Sequence, residues 1–342
     1  MIKFIIKRIL WMIPIFLGVL VIVFCLSYFM PGDPVQDKLG SSYTQEDYDA
    51  LAHEMGLDRP FLVQMGDYIW GVVTRFDLGN AYSSNQTVLQ MISARVPVSL
   101  AIGLLGTLLV IVLGIPIGVF SALKQNTVAD YTITTFSIIL ASLPGFWLAL
   151  MCIIVFCLNL RWLPASGLGS FKAWILPVVT NSLMSLASVT RMTRSSMLEV
   201  IRQDYIWTAK AKGLPSGKVI FKHALKNSLI PVITMVGGQL GIIVGGSVIT
   251  ETIFNIPGMG MLMVTAINKR DYPLILGITV IISIFVMVMN LLVDIVYSLI
   301  DPRIKSQFKS GKKMFIKKND ISFPPVKGQG GPGSGLKEAK EA

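Results

Sequence analysis

Six apolar runs divide this chain, at residues 9–30, 98–123, 131–158, 174–190, 230–250 and 274–300. A helix needs about 20 apolar residues to cross a hydrocarbon core about 30 Å thick, and these runs are of that order. Lipid offers no partner to a backbone N–H or C=O, so a single spanning segment has the helix as its only solution. The pattern predicts an all-α membrane protein with six transmembrane helices. Charged residues make up only 14% of the chain and hydrophobic ones 53%, against about 25% charged in soluble domains. A net charge of +11 would suggest nucleic acid for a soluble protein. Here Lys and Arg gather at the ends of the apolar runs, as positive-inside topology requires, and no nucleic-acid partner is expected.

Lys3, Lys7 and Arg8 precede the first run. That run exceeds the roughly 7–15 apolar residues of a signal peptide and lacks a small-x-small site before Pro31, so it reads as a first span with a cytoplasmic N-terminus. Residues 31–95 are polar and hold about half of the acidic residues, which predicts an external domain. Within it, Thr44 with Glu46 and Asp47 signals a helix start, Gly56 to Pro60 a stop, and 61–76 a second helix whose Tyr68 and Trp70 suit a membrane interface. Gly103, Gly106, Gly114 and Gly118 allow close contacts of the second span, and Pro116 allows a kink. Residues 124–130 read as a short cytoplasmic turn, and the third span is interrupted near Pro144-Gly145. The five later spans form a core over 96–305 containing a basic cytoplasmic loop at 191–230. Residues 251–273 are expected outside. The tail at 306–342 is basic and rich in Gly and Pro, expected to be cytoplasmic and disordered.

The loop at 191–230 carries Arg191, Arg194, Arg202, Lys210, Lys212, Lys218, Lys222 and Lys226 against Glu199 and Asp204. Met197, Leu198, Ile201 and Tyr205 make an amphipathic turn, small residues follow, and Gly213 stops the helix. Such a helix seats closely in a groove, although spacing alone also fits an ordinary amphipathic helix with a glycine cap. The lysines suit either an acidic protein surface or anionic lipid. Gly213 to Lys218 is one residue short of a phosphate-binding loop, and Val219 stands where the hydroxyl would be, so nucleotide binding is rejected. Cys25, Cys152 and Cys157 lie in apolar runs and read as packing residues. His53 and His223 are the only histidines, so no cofactor or metal site is expected and no covalent chemistry. Gln239, Ser247 and Thr250 are candidates for a translocation pathway, with small-residue helix packing as the alternative. Asn290 and Asp294 share one face of the sixth span; Asp294 reads as a relay, or as a structural carboxylate paired with a loop arginine. Glu251, at the outer end of the fifth span, either meets a peptide amino terminus or is solvated.

The run Asp204-Tyr205, Thr208-Ala209-Lys210-Ala211-Lys212-Gly213-Leu214, His223-Ala224-Leu225-Lys226-Asn227 and Leu229-Ile230-Pro231 resembles the coupling loop of permease subunits of ATP-binding-cassette importers. The general signature is acid-Ala-Ala, a glycine four residues later, and I-x-L-P. With Gly213 at that glycine, Trp207 and Thr208 replace the acid and first alanine and Ala209 matches, which is the form of the oligopeptide and dipeptide branch. Pro31-Gly32-Asp33-Pro34, Gly56-Leu57-Asp58-Arg59-Pro60, Asp77-Leu78-Gly79 and the stretch from Glu251 to Pro273 resemble that branch too, over nearly the whole chain. The resemblance implies a type I importer permease fold in the bacterial inner or plasma membrane, both termini cytoplasmic. It assigns ATPase coupling to Asp204, Tyr205, Thr208, Ala209, Lys210, Ala211, Lys212, Gly213 and Leu214. It implies a second homologous permease, two cytoplasmic ATPases holding ATP and Mg, an extracellular or periplasmic binding protein, and a peptide substrate. Nickel, nickel-chelate and glutathione importers share the branch. A stand-alone secondary transporter is the competing class; it would need paired intramembrane charges or an inverted repeat, and Asp294 is the one candidate charge.

Overall fold

The computed structural model describes residues 2–300 except 41, 85 and 246, so the tail expected at 306–342 lies outside the described residues. Helix α1 (Ile2–Tyr28) carries the first apolar run. It is followed by α2 (Pro34–Leu39), α3 (Gln45–Glu54) and α4 (Phe61–Arg75). Next, α5 (Val88–Ser93) and α6 (Val96–Leu109) pass through a π-helical turn, Val110–Gly114, into α7 (Ile115–Leu123). Then α8 (Val128–Ser142) leads to α9 (Gly145–Cys152), which widens into a π-helical end, Ile153–Asn159. The long α10 (Phe171–Ile201) is followed by α11 (Asp204–Ala211) and α12 (Ser216–Lys218). A third π-helical segment, Val219–Ala224, joins α12 to α13 (Leu225–Gly245). The described chain closes with α14 (Val248–Ile253), α15 (Met259–Asn268) and α16 (Tyr272–Ile300). Five helical runs are long and apolar enough to span a membrane, and the α8–α9 pair, bent by 104°, makes a sixth if counted as one span.

Local sequence explains the breaks. Proline pushes the preceding residue out of the α region and has no N–H to donate. Leu143 accordingly adopts φ −85°, ψ 136° before Pro144, and the helix restarts at Gly145. Pro116 has no N–H to give back to the preceding turn, and the wide π-helical turn lies immediately before it. In Pro31-Gly32-Asp33-Pro34, Gly32 takes φ +133° under the Arg270 side chain, and Asp33 accepts from the N–H of Val35 and Gln36. Pro34 then occupies the first turn, where its lost donor is harmless.

The core is organised on α10, which packs against α6, α7, α8, α9 and α13. Gly114 and Gly118 let α7 lie on it, and a Cβ at Gly118 would strike the Thr190 carbonyl and Thr193. Helix α1 packs on α16 and α4 and leaves Ile9, Leu10, Trp11 and Ile13 exposed, as a lipid-facing helix does.

Three features depart from the pattern read along the chain. Helix α10 runs through Ile201 rather than ending near 190, and the next membrane-spanning run begins at Ser216 rather than 230. The loop expected over 191–230 therefore contracts to 202–215 around α11, because both flanking helices extend past their apolar runs. The stretch 251–273 is not a simple connection: Phe254, Ile256, Met259, Leu262 and Ala266 are buried in it. Residues 31–95 do not stand apart either, since Val72, Leu78, Val88 and Ile92 share one apolar cluster with Leu20 of α1, Leu262 of α15 and Ile278 of α16.

Candidate functional site

Helix α11 sits between the ends of α10 and α12. Gln203 takes an extended conformation, φ −75° and ψ 146°, which separates it from α10, and Asp204 places negative charge in its first turn. Ile206 and Ala209, three apart on one face, are 1% and 7% exposed. They enter an apolar cluster with Val119 and Ala122 of α7, Met197 of α10, Val219 and Ala224, and Leu214 packs on its edge. Ala209 thus faces inward, although it is one of the nine residues to which coupling was assigned. Its methyl group lets the helix backbone approach the cluster.

The opposite side is open. Asp204, Tyr205, Thr208, Lys210, Ala211, Lys212 and Gly213 are exposed, and Trp207 is 61% exposed. Lys210 Nζ lies 4.8 Å from the centre of the Trp207 ring, within cation–π range. Tyr205 Oη accepts from Asn227 Nδ2 at 2.8 Å, tying α11 to α13. Gly213 takes φ +75° while its N–H bonds the Lys210 carbonyl, and space around its α-carbon is empty. Its contribution is conformational: it closes the helix in the left-handed region.

A buried ion pair holds the platform on which α11 rests. Asp130 of α8 is 1% exposed and accepts from Arg194 Nε at 2.6 Å and Nη2 at 2.7 Å. Ser121 Oγ of α7 donates to the same carboxylate at 2.5 Å and the Asn126 N–H at 3.0 Å. The pair joins the α7–α8 turn to the end of α10. Along the sequence Asp130 closes a short turn and Arg194 belongs to the basic loop. The usable signal was an acid at the very start of an apolar run, where an unpartnered charge is costly.

The residues proposed for a pathway separate into distinct settings. Glu251 is fully buried, so it is neither solvated nor open to an arriving amino terminus. Its carboxylate accepts from Ser99 Oγ (2.7 Å), Ser247 Oγ (2.5 Å), Gly260 N–H (2.7 Å) and Met261 N–H (3.1 Å). The two N–H groups open α15, where negative charge is favoured. A Cβ at Gly258 would collide with this carboxylate and one at Gly260 with the Val248 backbone, which accounts for the glycines there. Ser247 and Thr250 are buried, with Thr250 Oγ1 3.5 Å from Asn181 Oδ1. Gln239 is half-buried, and its Oε1 has no hydrogen-bond partner among the described residues. Asn290 is exposed on α16. Asp294 pairs with Arg8 of α1 at 2.6 Å, not with a loop arginine, and so fastens α1 to α16.

The family described as "Binding-protein-dependent transport system inner membrane component" matches residues 114–306, and "Binding-prot-dependent transport system membrane comp, N-term" matches residues 1–103. The chain is 40% identical over 334 residues to the dipeptide transport system permease protein DppB of Alkalihalophilus pseudofirmus, covering 89% of this chain and 100% of that one. It is 39% identical over 316 residues to the oligopeptide transport system permease protein AppB of Bacillus subtilis, again covering 89% and 100%. Among solved structures it is similar to a chain of the inward-facing MetNI methionine ABC transporter, with a TM-score of 0.51 at 17% identity, covering 62% of this chain and 97% of that one. That last likeness is one of fold.

Proposed function

This chain belongs to the binding-protein-dependent transport system inner membrane component family, and from that premise we propose that it is the peptide-translocating permease subunit of an ATP-driven importer. The peptide substrate is carried over from the dipeptide and oligopeptide permeases that it resembles along most of its length. The chain is a multi-pass bacterial inner-membrane protein. Its partners are a second homologous permease, two ATPases on the cytoplasmic side that hold ATP and Mg, and a substrate-binding protein outside, with membrane lipid around α1. Both termini and α11 lie on the cytoplasmic side, and residues 31–95 face outward.

The observation that carries this reading is the two-sided construction of α11. Its inner face packs on the π-helical segment Val219–Ala224, and Ile206 and Ala209 enter the apolar cluster that this segment shares with α7 and α10, while Trp207 and its neighbours stand open. A helix exposed in this way but rigidly seated passes a push from a docked partner into the bundle, and an alternating-access switch needs such an input. The Asp130–Arg194 pair holds the α7–α8 turn to α10 as that push arrives.

The test is purification of the tagged protein from native membranes, with ATPase activity measured on wild type and on Trp207→Ala with Ala211→Glu. Both changes lie on the open face, so the fold is expected to survive. Wild type is expected to bring two ATPase subunits and a second permease; the variant is expected to lose the ATPases or to hydrolyse ATP without response to binding protein. A wild-type protein that purifies alone and moves solute without ATP overturns the reading.

A further inference from the structure

Two adjoining cavities of about 310 and 620 Å³ lie between the end of α1, helices α3 and α4, and the start of α16. They share Ser27, Tyr28, Leu57, Gln64 and Tyr272 in their walls. Three hydroxyls that line them, Ser27 Oγ, Tyr68 Oη and Tyr272 Oη, are buried without a hydrogen-bond partner among the described residues. Ser27 is 7% exposed. Buried polar groups in folded proteins are nearly always satisfied, so three orphans around one void mark a place where the partner comes from outside the chain.

The charge of the walls says what kind of partner. Asp33, Asp49 and Asp58 line the larger cavity and Asp67 and Asp77 the smaller, while Arg59 is the one Lys or Arg in either wall among the described residues. Asp67 is taken by Arg59 at 3.0 Å and Asp58 by His53 at 2.7 Å. Asp33 bonds neutral groups, the Val35 N–H and the Tyr48 hydroxyl. Aromatic rings share the remaining surface with aliphatic side chains such as Leu57, Leu78 and Leu276: Phe24 lies 5.6 Å from Tyr68 and 6.4 Å from Tyr28, ring centre to ring centre. Carboxylates and aromatic faces both attract a cation and repel an anion, and hydroxyl oxygens accept from ammonium N–H groups.

We propose that this cleft binds a primary ammonium group carried on a small apolar body. Free aralkyl amines and the amino-terminal residue of a short peptide share that chemistry. The site is separate from α11, and binding to it requires neither ATP nor transport, so it stands or falls apart from the importer reading.

The experiment uses the intact complex in nanodiscs and fluorine NMR, with 4-fluorophenethylamine as probe, 4-fluorophenylacetate as its anionic counterpart, and empty nanodiscs as background. The amine is expected to show saturable line broadening and to bind roughly 10-fold more tightly than the acid. Ser27→Phe, which fills the cleft, is expected to abolish that broadening. Tyr272→Phe keeps the ring and removes one orphan hydroxyl, so it is expected to weaken binding by about 3-fold even if Ser27→Phe misfolds. Displacement of the amine by phenylalanyl-alanine assigns the source to peptide amino termini, and failure of displacement assigns it to free amines. Equal binding of amine and acid, absence of saturation, or unchanged binding in a folded Ser27→Phe protein overturns the proposal and leaves a cleft filled by water.

Discussion

At the scale of single residues, the groups that matter most here are buried charges whose partners lie far away in the chain. Arg194 is 64 positions from Asp130, yet the two make a bidentate pair with Ser121 and the Asn126 N–H completing the carboxylate's shell. Removing one partner of a buried pair strands the other. Arg194→Ala is therefore expected to cost about 3 kcal/mol, toward the low end for such losses because two donors stay on Asp130. Adding Asp130→Asn to Arg194→Ala is expected to recover part of that loss, since no carboxylate is then left without its cation. Thermal unfolding of the purified single and double variants measures both. Had the pair been an incidental surface contact, the single and double variants would melt alike. Glu251 teaches the same lesson from the other side: an acid near the end of an apolar run looks available in sequence, and four donors have already consumed it.

At the scale of elements, most starts and stops are written in short-range chemistry. Thr44 and Asp47 form a reciprocal capping box at α3, with the Asp47 N–H donating to Thr44 Oγ1 at 3.2 Å and the Thr44 N–H to Asp47 Oδ2 at 3.1 Å. The Thr44 hydroxyl also donates to Asp47 Oδ2 at 2.7 Å, and that bond first, with the one from the Thr44 N–H, holds the Asp47 carboxyl below its ordinary value of 3.8. A depressed carboxyl contributes stability that is fully present above the unfolded pKa and is lost as pH falls through the folded one. Asp58, lowered in the same sense by its bond from His53, adds to the trend at the far end of the helix. Protection factors of the α3 amides, taken against the intrinsic exchange rate at each pH, are expected to hold down to about pH 4 and to fall below it, and Asp47→Asn is expected to flatten that acid limb while leaving α16 unchanged. An acid limb that persists in Asp47→Asn would place its origin elsewhere. The break at Pro144 and the glycine stop at Gly213 were legible for the same reason, because backbone restriction acts on nearest neighbours. The ends of α10 and α13 were not legible. Their helices continue beyond the apolar runs into polar sequence, where contact with α11 and α7 outweighs hydropathy.

At the scale of the whole molecule, Asp271 welds the 31–95 segment to the bundle. It is fully buried and accepts from the Tyr82 N–H at 3.0 Å, the Ser83 N–H at 2.8 Å and the Leu274 N–H at 3.3 Å. Asp271→Ala leaves the loop donors without an acceptor and is expected to cost about 3 kcal/mol locally, roughly a hundredfold in the open population of that loop. Limited proteolysis should then cut near Ser83 much faster than in wild type, with the α10–α13 core still intact; equal cleavage rates would mean that the apolar cluster alone holds the segment. By itself the sequence determined that this chain is helical, that it spans a membrane, that the third span breaks at Pro144-Gly145, and that a helix in the basic segment stops at Gly213. Those properties follow from the length of apolar runs and from local backbone and capping chemistry. Only the tertiary structure decided that residues 31–95 share a core with α1, α15 and α16, that Ala209 faces in, that Glu251 is spent on α15, and that Asp130 meets Arg194 and Asp294 meets Arg8. Each of these depends on which faces of distant helices are brought together, and period and composition along the chain carry no record of that.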